Sequence, residues 1–306
     1  MRRRNFCILL SALAPAGIPF NTLTAGRSLF PKIITRNIPG SGQPIPVIGM
    51  GSWITFNVGN DQSLRNERVK VLKAFFELGG GLIDSSPMYG SSEEVIGYCL
   101  KHIGMSKALF SATKVWTPSR WHGVKQMETS VSLWGEETLD LIQVHNLLSW
   151  ESHLETLSYW KSKGRVRYIG VTTSHGSRHD LLARILSSQS IDFVQFTYNL
   201  LDRKAEETLL PLAAEKKVAV IINRPFQGGR LFDKFGDKSL PNWAAEFNCV
   251  NWAQFFLKFI ISHPSVTCAI PATSRVDHMG QNMGAGYGRL PDNGMRRRMV
   301  EYIENF

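Results

Sequence analysis

Gly81-Leu82-Ile83-Asp84-Ser85-Ser86-Pro87-Met88-Tyr89-Gly90 is a short apolar run that stops on a carboxylate, breaks at Pro87 and turns at Gly90. A helix-length stretch follows at residues 93–102. Run, turn and helix together make one β-α unit. Similar apolar runs, rich in β-branched residues, stand at 45–50, 108–114, 139–145, 166–171, 191–196, 218–223 and 266–271. They are apolar at nearly every position, which fits parallel strands covered on both faces. Helix-length stretches lie between them at 64–78, 123–134, 151–164, 177–188, 206–216 and 250–263. The first carries Val69, Leu72, Phe75, Phe76 and Leu78 as an approximate helical stripe. Gly79-Gly80-Gly81 and Gly164 sit where helices should stop.

Eight such runs alternating with helices predict a single-domain α/β fold, a (β/α)8 TIM barrel. A doubly wound sheet is the alternative, and it would advertise a glycine-rich phosphate loop after its first strand. Gly40-Ser41-Gly42 continues into Gln43-Pro44-Ile45, and Gly49-Met50-Gly51 into Ser52-Trp53-Ile54. Neither completes G-x-G-x-x-G before a helix, and no Walker loop is present. A dinucleotide, if one binds, is not held in the Rossmann manner.

A chain of 306 residues, 43% hydrophobic and 20% charged, can bury a full core without disulfide or metal staples. Its formal charge is +10, with three arginines at residues 2–4 and three at 296–298. Such a surface could serve an anionic partner. With no nucleic-acid motif and no aromatic-interleaved basic run, nucleic acid is not expected as a partner. The triplet at 296–298 is expected on the solvated face of a C-terminal helix. Cys7, Cys99, Cys249 and Cys268 are scattered, with no C-x-x-C, and are expected to be small buried hydrophobes.

Three arginines also precede an uncharged stretch that runs from Asn5 to Gly26. Its apolar part, residues 6–16, has the length of a signal-peptide core and is too short for a membrane span. Arg3-Arg4-Asn5-Phe6-Cys7-Ile8 resembles a twin-arginine export signal. The expected organisation is a signal peptide over residues 1–26 and one barrel domain over 27–306. Periplasmic residence through the twin-arginine machinery follows, or a cytoplasmic location if the signal does not function.

Barrel chemistry sits at the C-terminal ends of the strands. Asp84 ends the second run, Tyr89 lies in the loop beyond it, Lys114 ends the third run and His145 the fourth. Each has an ordinary structural role open to it: a cap, loop packing, a surface lysine, a satisfied core histidine. Consecutive barrel strands are neighbours, however, so the four can converge. Reducing a carbonyl needs a hydride donor and a proton donor. A phenol, with a pKa near ~10, is a reluctant acid at neutral pH. A nearby ammonium is expected to lower that value, and a carboxylate to hold the ammonium in place. Asp84 would then aim Lys114, Lys114 would tune Tyr89, and Tyr89 would protonate the carbonyl oxygen. His145 would be a second donor to that oxygen. No metal ligand set is expected.

The phrase at 81–90, then Thr113-Lys114, His145 and Arg167-Tyr168-Ile169-Gly170-Val171, is similar to the aldo/keto reductase superfamily, in family order and across residues 36–282. The resemblance implies an oxidoreductase that takes NADP(H), or NAD(H), in an extended pose across the barrel mouth, with the four residues in the roles just given. It implies further cofactor contacts. Thr172 and Thr173 stand where the family often has a Ser-Asn pair for the nicotinamide amide. Gln195 matches a carboxamide-binding glutamine. Asn223-Arg224-Pro225-Phe226 replaces Tyr-Ser-Pro, so the stacking tyrosine is missing, with Phe226 or Trp116 as substitutes. Gln227, Gly228, Gly229, Arg230 and Leu231 resemble the loop that folds over the pyrophosphate. Thr273, Ser274 and Arg275 resemble the adenosine-phosphate segment, where a guanidinium favours a 2′-phosphate and hence NADP(H). Asn282 matches an adenine contact. Trp53, Phe56, Trp116 and Trp121 are candidate walls of a substrate pocket.

The expected function is NAD(P)H-dependent hydride transfer to or from an aldehyde, ketone or sugar carbonyl. Two rivals remain: a cofactor-binding sensor or accessory subunit of the same fold, and a barrel lyase or isomerase that needs no cofactor.

Overall fold

A computed structural model describes residues 32–104, 108–176 and 178–305 of the chain. The expected signal segment lies outside them. Two short strands, β1 (Thr35–Asn37) and β2 (Pro44–Pro46), pair antiparallel as a hairpin. Eight parallel strands follow: β3 (Met50–Gly51), β4 (Leu82–Asp84), β5 (Phe110–Val115), β6 (Leu139–His145), β7 (Val166–Thr172), β8 (Phe193–Thr197), β9 (Ala219–Asn223) and β10 (Cys268–Ala269). Each pairs with the next in the sequence. The ring closes where Gly49 N donates to Ala269 O (2.9 Å), Ala269 N to Val47 O (2.9 Å) and Gly51 N to Pro271 O (3.0 Å).

Helices cross over between the strands: α1 (Gln62–Glu77), α2 (Ser92–Ile103), α3 (Arg120–Trp134), α4 (Trp150–Ser162), α5 (His179–Ser188), α6 (Leu209–Glu215), α7 (Arg230–Phe235) and α8 (Trp252–Ile261). Two more, α9 (Val276–Gly284) and α10 (Asn293–Glu304), follow the last strand. Asp61, Ser119, Asn251 and Asp292 cap their helices by accepting from a backbone N–H three residues on. Among the described residues no helix is long and apolar enough to cross a membrane.

This is the expected (β/α)8 barrel, with two changes in its first and last runs. The run at 45–50 is not one strand. Pro44 and Pro46 have no N–H to give a central ladder, so Ile45 goes to the hairpin and only Met50–Gly51 enters the barrel. The run at 266–271 contributes just Cys268–Ala269.

Strand residues alternate between two cores. Leu82, Phe110, Ala112, Leu141, Tyr168, Phe193, Ala219, Ile221 and Cys268 fill the barrel, joined by Ile38 and Ile45 from the hairpin side. The alternate residues Ile83, Ile142, Val144, Ile169, Val194, Val220, Ile222 and Ala269 pack outward with the helices. Gly170 belongs to the inward series, opposite Phe193 in the register. A Cβ there would lie 2.5 Å from the Phe193 carbonyl oxygen, so only glycine fits.

Arg296, expected in solvent, is buried instead. Its guanidinium donates to the Phe259 carbonyl, to Ser262 Oγ (2.7 Å) and to Tyr198 Oη (2.6 Å), and pairs with Glu206 (2.8 Å). Arg297 and Arg298 are exposed, as expected. Cys99, Cys249 and Cys268 are buried free thiols, and Cys7 lies outside the described residues.

Arg36 on β1 ties the hairpin to the chain leaving α8. It donates to the carbonyls of Ile261 (2.8 Å), His263 (2.5 Å), Pro264 (2.8 Å) and Val266 (2.5 Å). These carbonyls lie at a helix C-terminus and beyond, where α8 itself offers no donors. Arg36→Ala is expected to destabilise the protein by about 2–4 kcal/mol in urea unfolding, without weakening ligand binding at the opposite end of the barrel. A loss below about 0.5 kcal/mol would remove the clamp from the account.

Candidate active site

The inward series on each strand is apolar at one end and polar at the other. It ends in Asp84 on β4, Lys114 on β5, Gln143 and His145 on β6, Thr172 on β7, Gln195 and Thr197 on β8 and Asn223 on β9. The register places Lys114 opposite Gln143, and His145 opposite Thr172, which in turn faces Gln195. The polar ends therefore form one continuous lining at the C-terminal mouth.

Lys114 is 1% exposed and Asp84 2%. Lys114 Nζ lies 2.6 Å from Asp84 Oδ2 and 2.7 Å from the Ser85 carbonyl oxygen. Gln143 Nε2 donates to Asp84 Oδ1 (3.3 Å), and the Gln195 side chain also donates to this carboxylate. Burial pushes the Asp84 carboxyl up, against the pull of Lys114, Gln195 and Gln143. Every partner is a donor, so the ionised form is the one the site accommodates. Burial likewise opposes the Lys114 charge, but Asp84 and then Tyr89 outweigh it and hold the ammonium above its ordinary value.

Tyr89 N donates to the Ser86 carbonyl (2.9 Å), a tight turn that brings the phenol back over the mouth. Lys114 Nζ is 5.1 Å from its ring centroid. The ammonium does pull the phenol down, as its chemistry requires. Burial is the larger influence, and the Tyr89 pKa is raised rather than lowered. This corrects the expected tuning: the site keeps Tyr89 protonated. His145 meets Tyr89 edge-on, with ring centroids 5.7 Å apart. Burial, with the Lys114 charge second, pulls its pKa down to about 2, so the imidazole is neutral. Its Nδ1 is 2.9 Å from Ser86 Oγ.

The expected cofactor residues separate into three groups. Thr172, Thr173 and Gln195 are buried at the ends of neighbouring strands. Thr173 Oγ1 and Gln195 Oε1 are buried with no hydrogen-bond partner. A hydroxyl donor beside a carbonyl acceptor, both unsatisfied, suits the two faces of a carboxamide. Thr273 and Asn282 are buried beyond β10, and Arg275 is exposed there. Arg275 is held by Asp277 through Nε (3.0 Å) and Nη2 (2.5 Å).

The loop after β9 departs furthest from expectation. Leu231 is fully buried in the core, so its side chain supports the loop and has no face for a ligand. Phe226 stacks edge-on with Phe232 (4.8 Å) and touches Phe256 (6.3 Å), which commits its ring to packing. Asn223 does not replace the missing tyrosine either: it donates to the Thr173 carbonyl (2.8 Å) and accepts from Thr197 (2.8 Å). Gly228, Gly229 and Arg230 remain at the surface of the loop. Phe56 is fully buried, whereas Trp53, Trp116 and Trp121 are 48%, 41% and 60% exposed and stay available as walls.

Three residues escaped the sequence reading. Gln143 and Ser86 touch Asp84 and His145, and the position of Gln143, two before His145, was a sufficient signal because that spacing shares a face. The third is Arg224. Its pKa is lowered by burial and then by Arg230, and both arginines act on His175. Among the described residues neither Arg224 nor Arg230 has a hydrogen bond or ion pair through its guanidinium. Two cations in mutual repulsion, offset only by the weaker pull of Asp202 on Arg224, make a site of positive potential.

A model of the aldo/keto reductase family matches residues 47–298, and the chain belongs to this family. It is 29% identical over 245 residues to methylglyoxal reductase YeaE of Escherichia coli, covering 78% of this chain and 84% of that one. It is 27% identical over 220 residues to aldo-keto reductase YhdN of Bacillus subtilis, covering 66% and 65%. Among solved structures, the fold matches an aldo/keto reductase from Klebsiella pneumoniae in complex with NADP and acetate (TM-score 0.73, 24% identity, 86% and 93% covered). It also matches the holo form of AKR11C1 from Bacillus halodurans (TM-score 0.73, 21% identity, 89% and 96% covered).

The ion pair at the centre has a testable energetic signature. Asp84→Asn leaves the Lys114 ammonium buried without its counter-charge and is expected to cost about 3–5 kcal/mol in urea unfolding. Asp84→Asn with Lys114→Met removes both charges and should be more stable than the single variant. A double variant no better than the single would mean that the pair does not carry the penalty.

Proposed function

We propose that this protein is an NADP(H)-dependent carbonyl reductase, with Asp84, Lys114, Tyr89 and His145 as its reaction centre. The observation that carries the reading is their convergence at one barrel mouth, a protonated phenol and a neutral imidazole facing the same space. Thr173 Oγ1 and Gln195 Oε1 fit the carboxamide of a nicotinamide, and a bound reduced nicotinamide dinucleotide would supply the hydride. Tyr89 gives its proton to the carbonyl oxygen. Lys114, held charged by Asp84, stabilises the phenolate left behind. His145 donates to the same oxygen and orients the substrate.

The path from the amide end to the adenine end follows the order of the strands. Thr173 and Gln195 lie beyond β7 and β8, Arg224 and Arg230 beyond β9, and Thr273, Arg275 and Asn282 beyond β10. A dinucleotide stretched across these ends puts its pyrophosphate beside the two unpaired guanidiniums, which relieves their repulsion. Arg275 is the candidate for a 2′-phosphate, in competition with Asp277. Methylglyoxal, from the name of the Escherichia coli relative, is the first carbonyl to try. A second reading, a cofactor-binding accessory protein with little turnover, draws on Asn223 standing where an aromatic platform was expected.

Titration with NADPH and NADH, followed by tryptophan fluorescence, tests the binding half. Arg224→Ala and Arg230→Ala should each weaken NADPH by about tenfold, with a loss that shrinks at high salt. Arg275→Ala should erode the preference for NADPH over NADH. Absence of binding to either cofactor would end the reductase reading. Tight binding with no turnover of any carbonyl would favour the accessory one.

The pH dependence tests the chemical half. Reduction consumes the Tyr89 proton, and the phenol sits above its ordinary value. The reductive rate should stay level from about pH 6 to about pH 9 and fall only as pH rises through that raised value. Alcohol oxidation needs the phenolate and should rise over the same range. His145, neutral down to about 2, should add no acid limb. Tyr89→Phe should lower kcat by about 10²–10⁴ and leave NADPH binding intact. A reductive limb centred near neutrality would rule out Tyr89 as the proton donor.

A further inference from the structure

Ser86 has a role in this site beyond its place in the turn: we infer that its hydroxyl donates to His145 Nδ1 and so fixes the imidazole proton on Nε2, making Ser86 the positioning residue for the second donor. A neutral imidazole has one N–H, on either nitrogen, and the partner of one decides the state of the other. His145 is neutral because it is buried beside Lys114. Its Nδ1 faces Ser86 Oγ at 2.9 Å, and Nε2 has no protein partner among the described residues.

A serine hydroxyl can serve either tautomer in principle, so the choice falls to its surroundings. Ser86 is fully buried, so its hydrogen must find an acceptor in the protein. Among the described residues the acceptor within reach is His145 Nδ1. The oxygen already faces the Met88 N–H at 3.4 Å. If Nδ1 carried the proton, Ser86 Oγ would receive from it while its own hydrogen was left buried and unmatched. Donation from Ser86 to Nδ1 satisfies both groups and turns an Nε2–H toward the mouth. The Ser86 carbonyl also accepts from Tyr89 N (2.9 Å). One residue thus anchors the turn that carries the phenol and sets the protonation of the imidazole beside it.

The kinetic consequence depends on the carbonyl-reduction reading, whereas the position of the proton does not. Long-range ¹H–¹⁵N spectra of the whole protein with ¹⁵N-labelled histidine, assigned by the loss of signals in His145→Gln, read the tautomer with no substrate or cofactor present. The wild type should show a protonated Nε2 and an unprotonated, hydrogen-bonded Nδ1. In Ser86→Ala the two nitrogens should move toward the averaged values of mixed tautomers, and kcat should fall by about tenfold. Ser86→Thr, which keeps the hydroxyl, should restore the wild-type pattern. A wild-type His145 protonated on Nδ1 would overturn the inference whether or not any variant folds. So would a Ser86→Ala protein whose Nε2–H signature is unchanged. A wild-type Nε2–H in a protein that reduces no carbonyl would leave the inference standing and remove the reductase reading.

Discussion

The contact between Lys114 Nζ and Asp84 Oδ2, at 2.6 Å and almost out of solvent, is the constraint around which the rest of the mouth is arranged. A buried ammonium and carboxylate cost several kcal/mol each to desolvate, and their attraction repays this only if the remaining polar atoms are matched. The matching is done by neighbours: Gln143 and Gln195 on the carboxylate, the Ser85 carbonyl on the ammonium. Gln143 comes from β6, Gln195 from β8 and Ser85 from the residue directly beyond β4, so the pair is affordable only inside a closed barrel with its register fixed. The same charge then acts outward, opposing the burial of the Tyr89 phenol and helping to keep His145 neutral.

How much of this could be read in advance follows from the period of two. The apolar runs were legible because parallel strands covered on both faces exclude polar residues from their middles. Their ends were legible as a candidate site because Asp84, Lys114 and His145 are costly to bury in such places without a purpose. The alternation within each run carried more than was taken from it. It puts Gln143 on the face of His145, and it sends the residues between them outward to the helices. The split of residues 45–50 was signalled by Pro44 and Pro46. Ser86 and Arg296 were not legible. What they do depends on partners far along the chain, 59 residues for Ser86 with His145 and up to 98 for Arg296 with Tyr198.

The cofactor half was less readable for a physical reason. Three of the four proposed catalytic groups, Asp84, Lys114 and His145, sit at strand ends, whose geometry the barrel dictates. Most of the expected cofactor residues sit beyond the strands, where a side chain can serve either the ligand or the local packing. Phe226 and Leu231 went to packing and Asn223 to bracing Thr173 and Thr197, while Arg224, which no pattern had singled out, was left with no hydrogen bond or ion pair through its guanidinium among the described residues. In a loop, the residues most open to a ligand are those the fold leaves unsatisfied, and only the folded arrangement reveals them.

The backbone carries the same division of labour between the two ends of the barrel. Ten non-glycine residues among those described have positive φ, and eight of them, Ile54, Asn146, Leu147, Ser149, His175, Arg178, Arg224 and Gln227, lie in loops that leave the C-terminal ends of the strands. Such conformations are disfavoured for L-residues and persist only where surrounding contacts hold them. At the opposite end the hairpin closes the barrel with Ile38 and Ile45, and Arg36 locks it to four carbonyls beyond α8. The hairpin end is therefore braced by groups that take no part in the proposed chemistry. The mouth can then keep its unpaired arginines, its unsatisfied Thr173 and Gln195, and its run of left-handed residues after His145, because the closed end does not depend on any of them.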